Sequence, residues 1–163
     1  MHTNTTEDIG FKLYKVLNGS IIVLALLTVL EGAALTEWSN MATIFVTLGA
    51  NAVAEAFARG LADEIANKRR RSFAEAVALL RRSLSVVIPG IVPALAFAAV
   101  SVGWLPLGKA FAWACWFLVF LLFAAGYTAC VIGGGKPWRG IVHGAVISTL
   151  GLGIVALRLI ASW

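Results

Sequence analysis

Apolar residues fall into five long runs separated by short polar breaks, at roughly Leu17–Leu35, Met41–Ala62, Leu84–Leu107, Lys109–Val131 and Gly140–Ile160. Each run approaches or exceeds the about 20 residues a helix needs to cross a hydrocarbon core roughly 30 Å thick. None shows the sustained alternation of a barrel strand, so the pattern predicts helices. The expected fold is all-α: a polytopic membrane protein with five transmembrane helices in a single domain over residues 1–163. On the fifth run Gly140, Gly144, Ser148 and Gly151 form a stripe of small residues. Such a stripe lets helix backbones approach closely, within the chain or across a dimer.

The connection between the second and third runs, Ala62–Ser83, carries its own pattern. Ser72-Phe73-Ala74-Glu75 fits a capping box, and Phe73, Val77 and Leu80 then follow at helical spacing. This predicts a short amphipathic helix on the membrane interface. Pro89-Gly90 and Pro93 follow, so the third span is expected to start or kink there.

Composition narrows the class. With 60% hydrophobic and 13% charged residues, against about 45–50% and about 25% in soluble domains, the chain is expected to have lipid as its main solvent. Disordered proteins, disulfide scaffolds and ordinary soluble enzymes are excluded. The 13 basic residues add orientation, because an inside N-terminus places 11 of them on the cytoplasmic side. Lys12 and Lys15 enter that count as residues of an N-terminal tail, and Lys68–Arg71 as a lipid-headgroup anchor. The net charge of +5 is thus a topology signal and predicts a bilayer partner, with no nucleic acid. Trp38, Trp104 and Trp163 are expected at the outer interface and Trp138 at the inner one. The expected location is a cell membrane, with several passes.

Candidate chemistry lies in the few polar residues within spans, where ionisable groups are costly. Thr47, Asn51, Glu55 and Arg59 recur every fourth residue and share one face of the second span. His143 on the fifth span is expected at a depth close to that of Glu55, so Glu55, Asn51 and His143 could hold a proton or a divalent cation. Glu55 and His143 are the candidate metal ligands. The plainer alternative is that Glu55 pairs with Arg59, which snorkels to the headgroups. Glu31 is either an outer station of the same path or an interfacial carboxylate. Cys115 and Cys130, both on the fourth span, are too far apart to pair and read as packing residues. Gly133-Gly134-Gly135-Lys136 lacks the first glycine and the final Ser/Thr of a phosphate-binding loop. With no nucleophile or resident-cofactor motif, no enzyme activity is expected.

Several fragments resemble the vacuolar iron transporter family. They are Asn18-Gly19, Ala52-Val53-Ala54-Glu55, Pro89 with Pro93–Phe97, Gly103–Leu107, and Arg139 with Gly144, Thr149 and Gly151. Asn18 stands where that family has an Asp, and Asp63, Glu64 and Glu75 stand where iron-transporting members carry a Glu-rich domain. The resemblance implies Glu55 as a transport-path residue, with Asn18 near the cytoplasmic mouth. The resulting expectation is a homodimeric, transporter-like membrane protein, with proton-coupled Fe or Mn movement as its activity. The alternative is a non-transporting scaffold or accessory subunit that uses small-residue helix faces.

Overall fold

The computed structural model describes residues 3–33, 36–68 and 72–161. Arg69–Arg71 and Trp163 lie outside the described residues, as does the side chain of Arg158.

The described chain is helical with short turns. Its helices are α1 (Thr3–Gly32), α2 (Glu37–Asn67), α3 (Phe73–Ser83), α4 (Ile88–Ser101), α5 (Leu107–Ile132) and α6 (Pro137–Ala161), and a 3₁₀ turn at Leu84–Val87 joins α3 to α4. Five segments are long and apolar enough to cross a bilayer: Ile9–Gly32, Glu37–Ala66, Phe73–Ser101, Leu107–Ile132 and Pro137–Leu157.

Two boundaries differ from expectation in ways that matter. The first helix starts well before Leu17, so Lys12 and Lys15 belong to a helix and not to a tail. The reason is packing: Lys15, Gly19, Val23 and Leu27 form one buried stripe at four-residue spacing. The third span is a composite. Ile88–Ser101 alone rises about 21 Å, and the preceding 3₁₀ turn brings it to about 29 Å, one hydrocarbon thickness.

Local sequence explains the turns. Thr36 Oγ1 accepts a bond from the Ser39 amide at 3.4 Å to cap α2. At α3 the capping box forms as expected: Ser72 Oγ accepts from Glu75 N at 3.3 Å and Glu75 Oε2 accepts from Ser72 N at 3.1 Å. Helix α5 ends on Gly134 at φ +81°, with Gly135 N donating to Cys130 O at 2.9 Å. The triple-glycine segment is therefore a helix stop, and Pro137 then opens α6.

Helices α1, α4 and α5 form the centre of the bundle. Helix α2 rests on α4, α3 and α1 at one flank, and α6 rests on α5 and α1 at another. The core joins Leu24, Leu27, Ile44, Leu48, Phe97, Phe111 and Leu118. Phe97 and Phe111 meet edge to face with centroids 4.9 Å apart. Close backbone approach sets two of the contacts. A Cβ on Gly144 would lie 2.7 Å from Phe123 O of α5, and one on Gly151 would lie 2.8 Å from Leu122 Cδ1. Gly140 likewise sits against the Tyr127 ring, and Ser148 is buried with its hydroxyl donating to Gly144 O at 2.9 Å. This small-residue stripe is thus occupied within the chain, by α5.

Candidate functional site

Glu55 lies on the inward side of α2, with Asn51 one turn before it and Arg59 one turn after. The outward side of this helix carries Val53, Ala54, Phe57 and Ala58, all exposed. The carboxylate therefore faces α1, where it meets Lys15. The two side chains form an ion pair, with Lys15 fully buried and Glu55 only 14% exposed. Arg59 completes the group, its Nη2 lying 2.9 Å from Glu55 Oε1.

Two aromatic rings of α1 finish the enclosure. The Arg59 guanidinium lies 4.5 Å from the Phe11 ring centroid and 5.6 Å from that of Tyr14. Lys15 Nζ is 5.2 Å from the same Phe11 centroid. A ring face attracts cations most when water is excluded, so Phe11 offers both cations a weaker second partner beside the carboxylate.

Nearby polar groups make the layer richer still. Gly19 brings α1 against the backbone of Val86, where a Cβ would lie 2.5 Å from Val86 O. By helical register Lys15, one turn before Gly19, then falls level with Ser83, about one turn before Val86. Ser83 is fully buried and its hydroxyl has no hydrogen-bond partner, and the same holds for the buried Asn51 Nδ2. A buried polar group without a partner costs free energy, so these two atoms add polar character to the layer at a cost in stability.

The formal charges are two positive and one negative. A lone buried carboxylate would draw in a metal ion or a proton. This one already has two internal cations as partners. Lys15 is buried on all sides and has that carboxylate as its ion-pair partner. Arg59 is 37% exposed and has a route outward.

The other expected residues are dispersed. His143 is exposed on α6, and the α6 packing faces are turned to α5 and α1. A Glu55–His143 ligand pair is therefore not assembled within the chain: equal depth did not imply a shared interface. Among the described residues no group of three or more His, Cys, Asp or Glu side chains comes together to hold a metal ion. Glu31 is half-buried at the opposite end of α1 from Lys15. Asn18 is half-buried, three residues along α1 from Lys15. Cys115 is buried and Cys130 half-buried, and neither is in a disulfide.

No family model, no curated protein and no solved structure matches the chain. The Lys15–Glu55–Arg59 group, with Lys15 fully buried, is the one ionic cluster described on these inward faces.

Proposed function

We propose that the protein is a small, multi-pass, transporter-like membrane protein in which Glu55 is an exchangeable cation site with a built-in occupant. The observation that carries this reading is the fully buried Lys15 held on Glu55. Removing two charges from water is expensive, and well-packed apolar residues of similar volume are often as stable or more so. An ionisable cluster kept inside a span is a functional candidate on that ground.

In this reading a proton or a divalent metal ion reaching Glu55 displaces the Lys15 ammonium, which falls back toward the Phe11 ring. When the ion leaves, Lys15 returns. Net movement then requires exchange, and the carboxylate never stands as a bare buried charge. The resemblance to vacuolar iron transporters favours Fe²⁺ or Mn²⁺ against protons. The proposed topology has the N-terminus, the α2–α3 connection and the α5–α6 turn in the cytoplasm, from the distribution of Lys and Arg. Five spans cannot divide into equal inverted repeats, so a homodimer is the natural way to complete a symmetric path.

One observation favours the second reading, a scaffold or accessory subunit. Lys15 and Glu55 tie α1 to α2, two helices that otherwise meet sparsely, and Arg59 extends the tie. There the group is a structural staple.

Reconstituted vesicles separate the two. Fe²⁺, Mn²⁺ and proton flux are measured for the native chain and for the double variant Lys15→Met/Glu55→Leu, which removes both charges together and so leaves no buried ion alone. A folded double variant without flux supports transport. Absence of flux in the native chain under every gradient, or equal flux in the folded double variant, leaves the staple reading.

A further inference from the structure

Ser83, the last residue of α3, is fully buried, yet its hydroxyl has no hydrogen-bond partner among the described residues. Ser20 and Ser148, also buried, donate to the carbonyl one turn back, at 2.7 Å to Val16 O and 2.9 Å to Gly144 O. Ser83 makes no such bond, so its oxygen is left for a group from another helix.

Register says which group that is. Gly19 of α1 packs against Val86, and a Cβ there would also lie 3.1 Å from Pro89 Cγ. The first and third spans run in one direction, so Lys15, one turn before Gly19, falls level with Ser83, three residues before Val86. The 3₁₀ turn Leu84–Val87 repeats every third residue, which puts Ser83 on the face that Val86 turns to α1. Helix α2 runs the opposite way and gives the same answer. Gly90 packs against Leu48, and Glu55 lies seven residues beyond Leu48 as Ser83 lies seven before Gly90, a depth match to about 2 Å.

The ammonium of Lys15 needs a second partner if Glu55 is to change occupants. The Phe11 ring serves poorly alone, because the Arg59 guanidinium already lies nearer its centroid, at 4.5 Å against 5.2 Å for Lys15 Nζ. A ring face also supplies no lone pair to the three N–H donors of an ammonium, whereas a serine hydroxyl does.

We propose that Ser83 Oγ is the second seat of the Lys15 ammonium, accepting its hydrogen bond when a proton or a metal ion occupies Glu55. The use of this seat in transport rests on the exchange reading above; the contact itself is measurable without flux. The ammonium keeps its charge and its three protons throughout, and only its partner changes, from carboxylate to hydroxyl. Ser83 is thus a positioning residue that acts through Lys15.

A double-mutant cycle on the full chain in mild detergent, read by thermal unfolding, tests the seat. Glu55→Gln imitates the neutral, protonated carboxyl. In the native background Ser83→Ala removes a hydroxyl that bonds nothing, and Tm is expected to stay unchanged or rise slightly. In the Glu55→Gln background the same change takes away the seat, and Tm is expected to fall by at least about 3 °C. Ser83→Thr, which keeps the hydroxyl, has the same effect in both backgrounds. In Lys15→Met/Glu55→Leu, where no ammonium remains, Ser83→Ala again leaves Tm unchanged or raised. Glu55→Asp, which draws the carboxylate back by one methylene, takes the place of Glu55→Gln should that variant fail to fold. An equal response to Ser83→Ala in the native and Glu55→Gln backgrounds overturns the proposal, as does an equal loss in the chain without Lys15. The cycle involves no flux, so its failure and that of the exchange reading are told apart.

Discussion

Lys15 and Glu55 depend on each other in a way that ordinary surface ion pairs do not. An exposed pair contributes about 0–1 kcal/mol, but stripping one partner from a buried pair leaves an uncompensated charge and costs about 3–5 kcal/mol. Glu55→Gln is therefore expected to destabilise the protein by about that much, because it leaves the buried Lys15 facing an amide. Lys15→Met/Glu55→Leu should be no less stable than the native chain. Thermal unfolding in detergent checks both, and a Glu55→Gln protein as stable as the native one would show that the pair is solvated. The pairing was half legible beforehand. Glu55 and Arg59 at four-residue spacing follow from helical geometry, but a lysine ahead of an apolar run reads as part of an N-terminal tail. The signal that places it inside was present: Lys15 extends the Gly19–Val23–Leu27 stripe by one turn. A stripe identifies a face, however, and does not name the helix that covers it.

Helices make their contacts through residues whose size is set by what lies opposite. Gly144 packs on the backbone of α5, where a Cβ would stand 2.7 Å from Phe123 O, whereas Gly49 has open space before it. Gly144→Ala is expected to destabilise the α5–α6 pair by about 1–3 kcal/mol through overpacking. Gly49→Ala should be neutral or slightly stabilising, because alanine is the better helix former. Thermal unfolding of the two variants side by side decides the point. At α3 the cap is the exposed element of the fold most open to test. Ser72→Ala removes the side-chain acceptor for Glu75 N and should cost about 0.5–2 kcal/mol, seen as faster amide exchange in the first turn of α3. The cap could be read ahead of the structure because it involves only four consecutive residues. The length of the third span could not, since it depends on a 3₁₀ turn that carries α3 into α4 while Gly90 packs against Leu48.

On the scale of the whole molecule, the proposed topology rests on the distribution of Lys and Arg about the five apolar helices. In the proposed topology Gly103 and Gly134, the turn glycines after α4 and α5, fall on opposite sides of the membrane. Single cysteines placed at Gly103 and Gly134, in a chain with Cys115 and Cys130 replaced by alanine, should react with an impermeant thiol reagent from opposite faces. Labelling of both from one face would overturn the five-span order. The number of membrane-suited helices, their approximate positions and the turn signals between them were determined by sequence alone, because hydrophobic length and caps are local properties. Which helix lies beside which was decided only in three dimensions. Asn51, Glu55 and Arg59 were bound to share a face, yet only packing could bring Lys15 to that face and leave His143 on the outside of α6. The physical reason is that a helix fixes the direction of its own side chains through its backbone. The partner each face meets depends on how all the faces can be buried at once.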